Sequence, residues 1–441
     1  MKTIFLFIYP RLFISDLLRG EYIKYLSSKY KVVVFLENLD DSYYKSDNVI
    51  YIKFPFKLNK FRFWTIFESL LRINLIRRFD NFIGIKYRHV RYSGNDWRKN
   101  LLKFIAQLLP RKFFNPSFFY WFEKIFITHK KEFKYYIDKY NPSLVLTSGP
   151  GFYFMEGWAI LCAKKFGIPT AAINFSWDNL TIYARSVRKT DYIICWNDIV
   201  KKDAQTIHGY KDNEVFVAGI LRYDFLFKKD ELGSREQFLK NKGLDPDKKT
   251  IFVATATDSD PDLHKKVINA IRDMNVNIYV RVHPLERMKT YEEFKKLNNV
   301  YIEYAGTVKQ GDEERGWQTE MEKEDQVNLK KILKFCDLHI NRSSTMTLDS
   351  LAFNLALPII NLKFPTSVVP VADYEHYKPI VDEGAVRLAR NIDDAVRYVK
   401  MYLDNPLLDI ENRKKVFDMM IKFSDGLSYK RSVDFLEKMI K

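Results

Sequence analysis

Short, almost wholly apolar runs alternate with stretches of helical periodicity from one end of the chain to the other. A run that is apolar on both faces suits a strand buried in a parallel sheet with helices on either side. In the first half the runs are Ile4–Ile8, Val32–Leu36, Ile50–Phe54, Leu144–Thr147, Thr170–Asn174, Tyr192–Cys195 and Val215–Ala218. A helix over Asp16–Lys29, capped by Ser15, separates the first two. Between Gly219 and Lys249 the chain turns polar, with Lys228-Lys-Asp-Glu231 and Gly243-Leu-Asp-Pro-Asp-Lys-Lys249. A second alternating series follows: Ile251–Ala254, Asn277–Val282, Val300–Tyr304, Leu338–Ile340 and Ile359–Leu362, then a helical tail from Asn391. The pattern predicts an α/β protein of two doubly wound, Rossmann-like units, with ligand at the carboxyl ends of the second unit's strands. The expected domains are residues 1–225, a linker at 226–249, and 250–441 with the terminal helices.

One stretch breaks the pattern. Residues 54–140 interleave Lys and Arg with Phe and Trp, as in Phe61–Phe67, Leu70–Arg78, Trp97–Ile105 and Arg111–Phe122. Such a mixture suits interfacial helices on an anionic membrane, and it would equally serve as the core of helices packed on the sheet. The whole chain of 441 residues carries 72 Lys+Arg against 55 Asp+Glu, a net charge of +17, which points to an anionic partner. No nucleic-acid motif accompanies the charge, so nucleic acid is not expected. Cys162, Cys195 and Cys336 are too few and too scattered for a disulfide framework or a zinc site, which predicts a reducing, cytoplasmic setting. The apolar N-terminus is cut short by Pro10 and Arg11 and reads as a buried strand rather than a signal peptide. No run is long enough to span a bilayer.

Chemistry concentrates where strands end. After Leu338–Ile340 come Ser343, Ser344 and Thr345 and then a helix. Hydroxyls at a helix start cap its N–H groups, and the helix N-terminus is a ready site for phosphate. Asp349, one turn in, could reach a sugar hydroxyl; the plainer alternative is an ordinary capped helix. Trp177, Asp178 and Asn179 follow the fifth strand, either as ligand groups or as an Asx-turn. Ser148 and Gly149 lie in Thr147-Ser-Gly-Pro-Gly151, a glycine loop that is no P-loop because no Lys-Ser/Thr follows. Arg281 and His283, two apart, share one face of a strand. His376 and Tyr377 follow the strand Ile359–Leu362.

In order and spacing, Ser176-Trp-Asp-Asn179, Cys195-Trp-Asn197 with Lys201, His208-Gly209, Val217-Ala-Gly219 with Asp224, Arg281-Val-His-Pro284, Ser343-Ser-Thr345 with Asp349, Glu375-His-Tyr377, and Asp425-Gly426 with Ser428 and Arg431 carry a resemblance. Over most of residues 140–431 the chain resembles GT-B-fold glycosyltransferases of bacterial surface-polysaccharide biosynthesis, related to the CDP-glycerol glycerophosphotransferase-like group. The resemblance implies two Rossmann-like domains facing across a cleft, with no metal and no cofactor. It implies transfer of a sugar from a nucleotide-sugar donor to a surface-glycan or lipid-linked acceptor. The donor would meet Ser343, Ser344, Thr345, Asp349, His376 and Tyr377, and the acceptor Ser148, Gly149, Trp177 and Asn179. Arg281 and His283 would neutralise the departing diphosphate. Many relatives carry Glu where this chain has Asp349, and no His follows the first strand. Asp178 is therefore the expected general base, with Glu156 second; a retaining enzyme would need neither. A CDP-activated glycerophosphotransferase is the alternative. A UDP-sugar 2-epimerase is less well matched, because Thr347-Leu-Asp-Ser350 carries one acid where that family has paired Glu.

Overall fold

A computed structural model describes residues 1–9, 13–54, 82–84, 101, 104, 108, 130–182, 189–256, 262–284, 286–308, 319–320, 322–365 and 369–440. The chain divides into two compact units, Met1–Arg222 with Leu427–Lys441, and Tyr223–Gly426. Most of the basic aromatic stretch 54–140 lies outside the described residues.

The first unit is a seven-stranded parallel sheet of β1 (Thr3–Phe7), β2 (Lys31–Leu36), β3 (Val49–Lys53), β4 (Pro142–Thr147), β5 (Thr170–Ile173), β6 (Tyr192–Cys195) and β7 (Val215–Val217), in the order β3-β2-β1-β4-β5-β6-β7. Strand residues alternate between two cores. Ile4, Leu6, Val32 and Val34 pack toward Tyr22, Ile23 and Leu26 of the helix Glu21–Lys29. Phe5, Phe7, Val33 and Phe35 pack toward Phe133 and Trp158 on the opposite face. The expected single helix from Asp16 is two pieces, a π-turn over Ser15–Arg19 and then Glu21–Lys29, broken at the extended Gly20. Ser15 is buried and does not cap it.

The second unit holds β8 (Thr250–Ala254), β9 (Asn277–Val282), β10 (Val300–Tyr304), a short antiparallel pair β11 (Thr307–Val308) and β12 (Thr319–Glu320), then β13 (Leu338–Asn341), β14 (Ile359–Leu362) and β15 (Arg387–Ala389). Its parallel sheet runs β10-β9-β8-β13-β14-β15. Residues 226–249, expected as a linker, pack within this unit and carry the helix Arg235–Asn241. The buried Lys330 ammonium holds them, donating to the carbonyls of Phe225 (3.1 Å) and Lys228 (2.6 Å) and pairing with Asp230 (2.6 Å).

The end of the chain departs from the expected division. The helix Ser428–Leu436 belongs to the first unit, where Val433 and Leu436 enter its core. Asp434 there receives Tyr25 Oη at 2.8 Å and Lys29 Nζ at 2.6 Å.

Candidate active site

In both sheets the strand order reverses beside the first strand, between β1 and β4 and between β8 and β13. The crevice outside the carboxyl ends at such a reversal is where open α/β sheets bind ligands.

In the second unit, β13 delivers Ser343–Thr345 to that crevice and the helix Met346–Phe353 starts there. Ser343 holds a left-handed φ of 50°, unusual for a residue with a Cβ. The cap differs from expectation. Thr345 occupies the N-cap position without a side-chain bond, and Ser344 Oγ instead accepts the Met346 N–H at 3.2 Å. Beneath the loop lies a buried polar platform. Asn341 Oδ1 accepts from Ser344 N (3.0 Å), Thr347 Oγ1 (3.2 Å) and Asn361 Nδ2 (3.1 Å). Tyr377 Oη sits 2.6 Å from Asn361 Oδ1 and 2.7 Å from Thr347 Oγ1. His339 Nδ1 lies 2.8 Å from Ser350 Oγ, and burial pulls this imidazole down to about 3, so it is neutral.

The expected donor residues therefore fall at two depths. Ser344 and Thr345 are half-buried at the loop. Tyr377 is 0% exposed and supports the loop from below, while Asp349, at 2%, has little surface to offer a ribose. His376 is buried beside the rings of Tyr374 and Tyr377.

Beside β13, the ends of β8 and β9 form a second cluster. His283 donates its backbone N–H to Thr255 Oγ1 at 2.9 Å, and the Thr255 hydroxyl donates to Glu286. Tyr291 Oη lies 3.3 Å from both Glu286 carboxylate oxygens. Burial lowers His283 to about 4 and raises Glu286 to about 7. His283 is thus uncharged at neutral pH and offers a hydrogen bond rather than a positive charge. Arg281 is 4% exposed and forms an ion pair with Glu303, which also accepts from Tyr279 Oη at 2.6 Å and Asn328 Nδ2 at 2.8 Å. Its charge is already balanced by a carboxylate. The shared face expected of Arg281 and His283 ends with β9 at Val282: Arg281 points toward Glu303, and His283 belongs to the following turn.

In the first unit, adjacent strands β4 and β5 bring Ser148 and Gly149 to the same edge as Trp177, Asp178 and Asn179. Trp177 and Asn179 are buried and Asp178 is half-buried, held by the Ser176 hydroxyl on Oδ1. The Ser148 hydroxyl is engaged by Tyr9 and Glu156. Asp178 is the most accessible of these side chains.

Glu286, Thr255 and the Asn341–Asn361 pair escaped the sequence reading. The pair had a signal: one Asn ends β13 and another interrupts the apolar run of β14, and they stand opposite one another in the β13–β14 register.

The order of both sheets and the reversal sites define a two-domain α/β protein of the GT-B class. Residues 125–309 match the sequence profile of the family CDP-Glycerol:Poly(glycerophosphate) glycerophosphotransferase, which bears out the resemblance carried by the motifs. No curated protein sequence matches the chain. Among solved structures, the fold is similar to UDP-GlcNAc 2-epimerase from Neisseria meningitidis bound to UDP-GlcNAc, at 12% identity, 99% coverage of this chain, 100% of that chain and a TM-score of 0.55. It is similar to the wall teichoic acid polymerase TagF with CDPG, at 12% identity, 100% and 88% coverage and a TM-score of 0.52. It is likewise similar to the glycotransferase of kitacinnamycin, at 11% identity, 100% and 99% coverage and a TM-score of 0.55. At these identities the likeness establishes the fold.

Proposed function

We propose that the protein is a glycosyltransferase that moves a sugar from a nucleotide-sugar donor to a surface-glycan or lipid-linked acceptor. The observation that carries this is the hydroxyl loop Ser343–Thr345 opening a helix at the strand-order reversal of the second sheet. Backbone N–H groups and the helix dipole there attract a diphosphate, and the neutral platform beneath holds the loop in shape. His283 donates a hydrogen bond to the diphosphate as charge builds on it, which is where electrostatic stabilisation counts most. Asp178 takes the proton of the acceptor hydroxyl if the configuration is inverted, and orients that hydroxyl otherwise. The leaving diphosphate is held without metal, so turnover should survive EDTA; loss of turnover restored by a divalent cation would refute that part.

The match to the glycerophosphotransferase family favours a second reading, transfer of a polyol phosphate from a CDP-activated donor. The two break different bonds, so the released nucleotide separates them. Sugar transfer releases a nucleoside diphosphate, whereas transfer of the phosphate with its polyol releases CMP.

The site of action we infer is the cytoplasmic face of a membrane. Among the described residues no helix is long and apolar enough to cross one. Within the basic stretch, the helical residues Leu101, Phe104 and Leu108 are 49%, 58% and 69% exposed at one-turn spacing, and from Trp97 to Phe122 there is no acidic residue. Apolar anchors flanked by Lys and Arg suit an anionic lipid surface. Vesicle flotation should show binding that needs anionic lipid and falls when the three are replaced by Ser; equal binding to neutral vesicles would contradict it.

A further inference from the structure

Glu156 has chemistry that the proposed mechanism leaves unused. It lies near the start of the helix Phe154–Lys165, completely buried, at the crevice where β1 and β4 part. Ser148 Oγ is 2.8 Å from Glu156 Oε1 and 3.1 Å from the Tyr9 carbonyl oxygen, and it accepts the Tyr9 N–H at 2.9 Å. A hydroxyl carries one proton. It donates to the Tyr9 carbonyl or to Glu156, never to both at once. With Glu156 ionised, one of these two oxygen–oxygen contacts has no proton between its atoms. With Glu156 protonated, both are filled: the acid donates to Ser148, and Ser148 donates to Tyr9. Ser148 is then saturated, with two bonds accepted and one given.

The surroundings agree with this proton count. A Cβ on Gly149 would stand 2.8 and 2.9 Å from the two carboxyl oxygens, so the loop lays bare backbone against the acid. The backbone N–H groups of Tyr153 and Gly151 face it from its own helix start and the preceding loop. No charged side chain among the described residues acts on it; burial outweighs these hydrogen bonds and pushes it up to about 8. The titratable group facing it from the turn just after β1 is Tyr9, itself raised chiefly by burial.

We propose that Glu156 is a positioning residue of the acceptor-side loop, which as a neutral carboxylic acid donates through Ser148 to Tyr9 and so ties the carboxyl ends of β1 and β4 together. The importance of that loop for an acceptor rests on the function proposed above; the protonation does not. Glu156 holds its proton longer in the folded chain than in the unfolded one. Its contribution to stability is therefore full at low pH and is lost as pH rises through about 8.

Infrared difference spectra of the full chain, wild type minus Glu156→Gln, test this directly. The expected result at pH 7 is the C=O stretch of a protonated acid, giving way to carboxylate as pH rises past about 8. Carboxylate alone at pH 7 would overturn the proposal. Should Glu156→Gln not fold, Ser148→Ala serves: it removes the acceptor of the proton, so the acid stretch must move to higher frequency, and an unmoved band would overturn the assignment. In turnover, Gln should keep what Ala loses and remove the alkaline limb of the pH profile. A general base at this position would instead make Glu156→Gln lose ~10²–10⁴-fold, which would refute a positioning role. The spectra need no substrate. A protonated Glu156 in a protein without transferase activity would therefore refute the proposed function alone.

Discussion

Arg281 and His283 stand two residues apart in different surroundings. Arg281 is buried against Glu303, so its removal leaves a buried carboxylate short of its partner. Breaking a buried pair costs about 3–5 kcal/mol, and Lys242, 3.5 Å from Glu303, should hold the loss to the lower end. Arg281→Ala should therefore lower the urea midpoint strongly; unchanged stability with lost turnover would restore it to the catalytic group. His283 is neutral and borders the crevice. His283→Ala should reduce kcat by about 10²–10³-fold, the usual cost of losing one donor to developing charge, with little change in donor affinity. Equal losses in kcat and affinity would contradict that role. The sequence could place both residues at a strand end. It could not show that Glu303, on the neighbouring strand β10, takes the charge of one and leaves the other.

At the scale of elements, the central strands were legible because both of their faces are buried, which leaves unbroken apolar text such as Ile251–Ala254. Short β15 was not, since it opens on Arg387, which reaches out to Asp409. The break at Gly20 was missed because the apolar period runs on through Leu17, Leu18, Tyr22 and Ile23 on either side of it. The loop Ser343–Thr345 was found, but its support was not, because Asn341, Asn361 and Tyr377 meet through pairing of β13 with β14 and a return of the chain. That support gives Tyr377 a testable role. Tyr377→Phe should lower the thermal midpoint of the nucleotide-free protein, since it leaves Asn361 Oδ1 without its donor at a cost of about 1–3 kcal/mol. Full stability with weakened donor binding would mean that the hydroxyl touches the ligand instead.

For the whole molecule, sequence periodicity was enough to give two doubly wound units, but not the return of Ser428–Leu436 to the first of them. That return buries Val433 and Leu436 and brings Asp434 to Tyr25 and Lys29 about 400 residues earlier in the chain, contacts no local pattern encodes. The class of activity rests on one central claim, that the second unit's hydroxyl loop holds the diphosphate of a nucleotide-activated donor. Calorimetric titration of the full chain with CDP, UDP, GDP and dTDP tests it most directly. One of the four should bind and should stabilise the fold by ~2.7 kcal/mol at a hundred times its Kd, with binding weakened by Ser344→Ala. Absence of binding by all four would contradict the account.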